Sequence, residues 1–212
     1  MRKKFRFLTV LAVCVMVLSC FSVTAFAYAD DTEQNLPVTE VSSLEFGKIQ
    51  FSIGRYDVVS ICRNVADTVS KIKQTQAEIY FTTELESMEI ETDDSRLQQV
   101  LINLLINATK FTPQGSITLE LKKQSEQELL FSVTDTGCGI PKDKQAAIFQ
   151  RFEKLNENAQ GSGLGLSICQ LIIEHIGGRI WIDPDYTGGS RFFFTHPFQQ
   201  PQPAKGRKES EV

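Results

Sequence analysis

Two stripes organise the middle of the chain. Leu97, Val100, Leu101, Leu104, Leu105 and Ala108 recur with the period of a helix, and Asn103, Asn107 and Lys110 recur at i, i+4 and i+7. At about 100° per residue the stripes lie about 130° apart, so one face packs into a core while another presents two carboxamides and an ammonium. Asp93 or Asp94 caps this central helix. Upstream, Ser43–Gly47 reads as the end of a helix and Ile49–Ile53 alternates like a half-buried strand. Asp57 caps a second helix carrying Val58, Val59, Ile61, Cys62, Val65, Val69 and Ile72. Glu78–Thr83 and Met88–Glu91 are short strands.

Downstream, Pro113-Gln-Gly115 turns the chain into a strand pair, Ser116–Leu121 and Glu128–Val133. Lys142–Phe149 reads as a short helix and residues 153–162 as a polar, mobile loop. A helix from Leu164 to Ile176 stops at Gly177-Gly178. The strands Arg179–Ile182 and Arg191–Thr195 follow, joined through Gly188-Gly189, with Trp181 read as a core residue. Strands in runs with three long helices give an α+β pattern without internal repeats. The tail 199–212, rich in Pro, Gln, Lys and Glu, reads as disordered.

Composition narrows the possibilities. A hydrophobic fraction of 42% and a charged fraction of 23% are ordinary for a globular domain. A net charge of -4 gives no electrostatic footprint for nucleic acid. The five cysteines form no C-x-x-C pair, which argues against a zinc site or disulfide framework.

Residues 1–30 read as a signal peptide or a membrane anchor. Arg2, Lys3, Lys4 and Arg6 precede an apolar run over 7–29, and Ala25-Phe26-Ala27 and Ala27-Tyr28-Ala29 are small-x-small cleavage patterns. Cys20 after Leu18-Ser19 also permits lipid modification. Residues 31–44 are a linker or the remnant of a dimerisation helix, and 45–198 the folded domain.

Three stretches carry chemistry. Carboxamide oxygens on the polar stripe suit a hard cation and the lysine suits phosphate, although a solvated helix face has the same pattern. Asp135-Thr-Gly137-Cys-Gly139-Ile-Pro141 ends a strand; its glycines let backbone approach a flat ligand and its carboxylate suits an amino donor, although a plain turn uses the same residues. Gly161-Ser-Gly163-Leu-Gly165-Leu166 opens a helix whose free N–H groups attract phosphate, although it also reads as a hinge. Phe149 and Phe152 read more simply as core or loop anchors, and Ile102 and Ile106, off both stripes, as a docking surface or a covered patch.

In this order the stretches resemble the ATP-binding domain of sensor histidine kinases, of the GHKL (Bergerat-fold) superfamily. Asn103–Thr112 resembles the N box, Asp135–Pro141 the first glycine box, Ile148–Phe152 the F box, Gly161–Leu166 the second glycine box and Gly188–Phe192 the final glycine motif. The resemblance covers about residues 45–197. It implies a two-layer α/β sandwich, a mixed sheet packed against three helices. It implies ATP and Mg²⁺ as cofactors, with Asn103, Asn107 and Lys110 as the catalytic set and Asn107 as the Mg²⁺ ligand. Nucleotide contacts are implied for Asn107, Lys110, Phe111, Asp135, Gly137, Gly139, Ile140, Phe149, Gly161, Gly163, Leu164, Gly165, Leu166 and Ser190, with 153–162 as the ATP lid.

The implied activity is transfer of the γ-phosphate to a histidine. Water-activating relatives carry a glutamate where this chain has Asn103, and an amide cannot take up a proton. The two histidines, His175 and His196, both follow the N box, so the resemblance implies a phosphoacceptor on a dimerisation hairpin of another segment or chain, and a response-regulator receiver as partner. The alternative is a truncated, non-catalytic ATP-binding module that regulates a full-length kinase. The expected location is membrane-associated with the ATP domain in the cytoplasm, in tension with the export-like N-terminus.

Overall fold

The structure, a computed structural model, describes residues 50–152 and 163–198. The chain divides into two units, Met1–Leu36 and Pro37–Val212, and every described residue lies in the second. The N-terminal segment, the linker and Ser43–Gly47, the loop 153–162 and the tail 199–212 all lie outside the described residues.

Strand β1 (Gly54–Asp57) runs into helix α1 (Val58–Ile72), then strands β2 (Glu78–Thr83) and β3 (Glu89–Thr92) and helix α2 (Asp94–Phe111). Strands β4 (Ser116–Ser125) and β5 (Glu128–Asp135) follow, then the single turn α3 (Lys142–Gln145), helix α4 (Gly165–His175) and strands β6 (Ile180–Ile182) and β7 (Arg191–Pro197). The main sheet has the order β2-β4-β5-β7-β6; β2 and β4 are parallel and the other neighbours antiparallel. A two-stranded ribbon, β1 with β3, stands apart from it. Helices α1, α2 and α4 pack on one face of the mixed sheet. This is the expected α+β sandwich.

Local chemistry accounts for the helices. The Asp57 carboxylate accepts from the Val59 and Ser60 N–H groups to start α1, and Asp93 accepts from Arg96 N–H to start α2. At the end of α4, Gly178 N–H donates to Ile173 O and Gly177 takes φ 82, a left-handed stop. All six apolar residues of the α2 stripe are buried. Burying a leucine contributes roughly 1.5–3 kcal/mol, so this stripe is the largest single anchor of the helix. Opposite it the sheet contributes Ile117, Leu119, Leu121, Leu129, Phe131, Val133 and Phe194, with Phe131 and Phe194 stacked at 4.3 Å.

Several expectations are corrected. The first strand is displaced from Ile49–Ile53 to Gly54–Asp57, because only the later residues find partners, Glu89–Thr92. Instead of pairing, Phe51 stacks on the His175 ring at 4.0 Å and Ser52 N–H donates to Asp93 Oδ2 at 2.8 Å. The helix expected over Lys142–Phe149 ends at Gln145 and continues as turns, with Gln150 N–H donating to Ala147 O. Ile72, on the last turn of α1, is 60% exposed because the helix outruns the core. Trp181 lies on the outer face of the sheet, stacked on Phe193 and covered by Arg179. Phe152 is no anchor; it is 62% exposed with φ 62.

Membrane association is also corrected. No described helix is long and apolar enough to cross a membrane, and the segment 7–29 lies outside the described residues. The longest described helix, α2, has 18 residues but carries Asp94, Arg96, Asn103, Asn107 and Lys110.

Candidate functional site

The polar stripe of α2 stands at one edge of the helix layer. Asn103 and Asn107 are half-buried and Lys110 stands at the solvent edge. Enough of Lys110 is covered that desolvation lowers its ammonium pKa. Phe111 closes the helix, half-buried, and its carbonyl accepts from Cys138 N–H at 3.3 Å. This bond ties the first glycine stretch to the end of α2. A side chain on Gly137 would collide with the same carbonyl and with the Thr112 hydroxyl.

Asp135 ends β5 at the point where β7 begins. Its carboxylate is buried, and Oδ1 accepts from Gly137 N–H at 2.9 Å and Ser190 N–H at 3.1 Å. Desolvation raises its pKa, and the hydrogen bonds from Gly137 and Ser190 oppose that rise. Oδ1 is thus occupied by two backbone donors. Gly139 takes φ 70, and a side chain there would lie 3.0 Å from Gly189 O. Gly189, at φ 145, packs directly on the Asp135 backbone and carboxylate. Half-buried Ile140 follows this turn, and its carbonyl accepts from the Gln145 side chain at 3.0 Å.

The second glycine stretch meets the first stripe. Gly165 opens α4 beside Asn103; a side chain there would sit 3.9 Å from Asn103 Cγ. No side chain caps the start of α4 among the described residues, so its first N–H groups are available to an anion. Gly163 takes φ 72 and Leu166 is half-buried. Leu164 is core: its side chain is buried and its carbonyl accepts from the Ser167 hydroxyl. Phe149 packs edge-on against Phe192 at 6.3 Å. Gly161 lies outside the described residues. The structure therefore links Asn103 with Gly165, Phe111 with Gly137 and Cys138, and Asp135 with Gly137, Gly189 and Ser190.

Sequence reasoning missed three residues here. The Tyr186 hydroxyl lies 3.5 Å from Asp135 O, beneath the Arg191 guanidinium at 4.2 Å. The Thr112 hydroxyl is buried without a hydrogen-bond partner among the described residues. Cys169 is buried against α2. Only Cys169 carried a usable signal, its i, i+4 spacing from Gly165.

Comparison with known proteins decides the family. The description "Histidine kinase-, DNA gyrase B-, and HSP90-like ATPase" matches residues 92–200, just over half of the chain. The chain belongs to this ATPase family. Within it, the similarity is to histidine kinases. Adaptive-response sensory kinase SasA of Synechococcus elongatus is 44% identical over 108 residues, covering 50% of this chain and 28% of SasA. Circadian input-output histidine kinase CikA of the same organism is 33% identical over 171 residues, covering 76% of this chain and 22% of CikA. The chain thus spans well under half of the length of the curated relatives it matches.

Solved structures agree. Full-length ShkA in complex with AMPPNP superposes with a TM-score of 0.71 at 30% identity, over 78% of this chain and 35% of ShkA. The catalytic domain of histidine kinase ThkA superposes with a TM-score of 0.62 at 31% identity, over 70% of this chain and 99% of that domain. The described unit is a histidine kinase-type ATPase domain, and the sequence resemblance is confirmed at that level.

Proposed function

We propose that residues 45–198 form the catalytic domain of a protein-histidine kinase of a two-component system. It binds Mg-ATP and passes the γ-phosphoryl group to a histidine supplied by another segment or chain. The observation that carries this reading is the seating of Gly165 against Asn103, which brings an uncapped helix start to the carboxamide stripe. The relatives named as kinases support it.

The donor chemistry fits Mg²⁺. The stripe offers amide oxygens, and no cluster of three His, Cys, Asp or Glu side chains among the described residues could hold a metal alone. Mg²⁺ keeps waters and substrate phosphates in its shell and needs few protein oxygens. Asn107 would be its ligand, with Asn103 in support. When bound, the ion neutralises charge on the transferring phosphoryl group.

The chain's own residues do the rest. Asp135 Oδ2 accepts from the adenine amine, with Ser190 beside it and Phe111, Gly137, Gly139, Ile140 and Phe149 around the base. Lys110 and the 161–166 stretch hold the phosphates. Asn103 cannot act as a base toward water, which favours transfer to an imidazole over hydrolysis. His196 is buried and hydrogen-bonded at both ring nitrogens, and His175 is stacked on Phe51, so neither is placed as the acceptor. The partners are a histidine-bearing dimerisation hairpin and a response-regulator receiver.

The test is to incubate the full chain with Mg-ATP and purified histidine-bearing hairpins. Acid-labile, alkali-stable phosphate on a hairpin is expected, and Asn107→Ala abolishes it. Nucleotide binding without transfer to any hairpin overturns the kinase reading in favour of a binding module.

A further inference from the structure

The ladder between β5 and β7 ends at the pair Thr134 and Arg191. The next pair in that register is Asp135 with Ser190. A hydrogen-bonded antiparallel pair exchanges two bonds, each N–H to the opposite C=O. Here one bond is regular: Asp135 N–H donates to Ser190 O at 2.8 Å. The other is diverted, because Ser190 N–H donates to the Asp135 carboxylate, Oδ1, at 3.1 Å. The diversion gives the carboxylate a second fixed donor beside Gly137 N–H. It also takes from the Asp135 carbonyl its ladder donor.

Tyr186 supplies the replacement: its hydroxyl donates to Asp135 O at 3.5 Å. The loop between β6 and β7 is folded to put it there. Asp183 Oδ1 accepts from Asp185 N–H at 3.0 Å, which turns the chain at the start of the loop. The Arg191 guanidinium lies 4.2 Å from the centre of the Tyr186 ring and reaches Asp183 Oδ2 at 3.4 Å. The ring is thus covered by a cation that is itself anchored across the loop. Gly188 leaves room for the hydroxyl, since a side chain there would lie 2.8 Å from the Tyr186 oxygen.

A backbone carbonyl without a donor competes for the one opposite it. For Asp135 O the register makes that donor Ser190 N–H. From this arrangement we infer that Tyr186 is a positioning residue for base recognition: by serving the Asp135 carbonyl it leaves Ser190 N–H to the carboxylate, and so fixes the direction in which Oδ2 is presented. The inference rests on the reading of Asp135 as the adenine acceptor. Tyr186 acts through Asp135 and is not itself placed as a nucleotide contact. A loop-packing role would use the ring alone; the diversion needs the hydroxyl.

The experiment uses the full chain, labelled with ¹⁵N and ¹³C and assigned sequentially, so that the Ser190 and Gly137 amides are read separately. Tyr186→Phe removes the hydroxyl and keeps the ring beneath Arg191. Arg191→Gln keeps the hydroxyl and uncovers the ring. Binding of Mg-ADP and Mg-GDP is measured by calorimetry. Guanine carries a carbonyl where adenine carries its amine, so a well-aimed carboxylate favours ADP alone.

Tyr186→Phe is expected to move the Ser190 amide resonance, as its N–H returns to the carbonyl, and to leave that of Gly137 in place. It weakens Mg-ADP binding about threefold, the low end for one neutral hydrogen bond, while Mg-GDP binding is unchanged. Arg191→Gln moves both readouts the same way to a smaller extent. An unmoved Ser190 resonance, or equal losses for ADP and GDP, overturns the inference. If the unaltered chain shows no preference for ADP, the adenine reading fails; the Ser190 resonance then decides the diversion alone, moved in Tyr186→Phe sustaining it and unmoved overturning it.

Discussion

Asp135 and Ser190 hold each other through two backbone groups: Asp135 N–H donates to Ser190 O at 2.8 Å, and Ser190 N–H donates to Asp135 Oδ1 at 3.1 Å. The carboxylate therefore has one structural duty and one proposed duty: Oδ1 fixes the junction of β5 and β7, and Oδ2 is the oxygen proposed to accept from the nucleotide.

Asp135→Asn separates the two duties. The amide keeps an oxygen for Gly137 and Ser190 but replaces Oδ2 with a donor. Adenine nucleotide binding is expected to weaken by about 1–3 kcal/mol, with the preference for ADP over GDP reduced and the melting temperature nearly unchanged. Calorimetry with both nucleotides checks this; unchanged ADP affinity removes the adenine from this end of the sheet. Burial raises the Asp135 pKa, so the folded chain holds this proton more tightly than the unfolded chain. Its ionisation therefore costs stability as pH rises from 3.8 through the folded value, a slope absent in Asp135→Asn.

Asn107→Ala tests the carboxamide stripe. The side chain is half-buried and lies outside the apolar stripe, so the fold is expected to survive by circular dichroism and thermal melting. Mg²⁺-dependent stabilisation by ADP is expected to disappear. A variant still stabilised by Mg-ADP like the parent chain would displace the metal from this helix.

Gly189→Ala is expected to destabilise the domain by about 3 kcal/mol, through a disfavoured positive φ and collision with the Asp135 backbone. Because the collision is with Asp135, proposed to bind the adenine, nucleotide binding is expected to fall in the same variant. Urea unfolding and calorimetry measure the two losses.

His196 makes stability depend on pH. It is buried; Nδ1–H donates to Pro197 O and Nε2 accepts from the Thr92 hydroxyl at 2.9 Å, joining β7 to the ribbon strand β3. Desolvation lowers its pKa from the ordinary 6.5, and the Pro197 hydrogen bond opposes this. The unfolded chain then binds the proton more readily. Stability is full above pH 6.5 and is lost as pH falls through the folded value, at no more than about 1.4 kcal/mol per pH unit. Urea unfolding between pH 8 and 5 is expected to show this acid-side loss, reduced in His196→Gln. Equal slopes in the two proteins would refute it.

What the sequence revealed follows from range. The stripes of α2 are local, and their period alone separates the buried leucines from Asn103, Asn107 and Lys110. Caps at Asp57 and Asp93 and the stop at Gly177 are local too. The first strand was misplaced because its position depends on pairing with residues more than thirty positions away. Trp181 was misassigned because alternation does not say which face of a strand is covered. The link from Tyr186 to Asp135 crosses 51 residues and leaves no periodic trace. Asn103 was legible as a member of the polar stripe, but Gly165, which packs beside it, belongs to another helix.

One backbone hydrogen bond, Phe152 N–H to Gly163 O at 3.1 Å, joins the chain on either side of residues 153–162. It works as a clasp: the stretch between begins and finishes at one place. Closing a longer excursion from such a clasp costs only about 0.6 kcal/mol for each doubling in length. The domain can thus accept a longer or shorter insert there with little effect on the sandwich, which makes this the place to graft a reporter peptide or trade segments between related kinases.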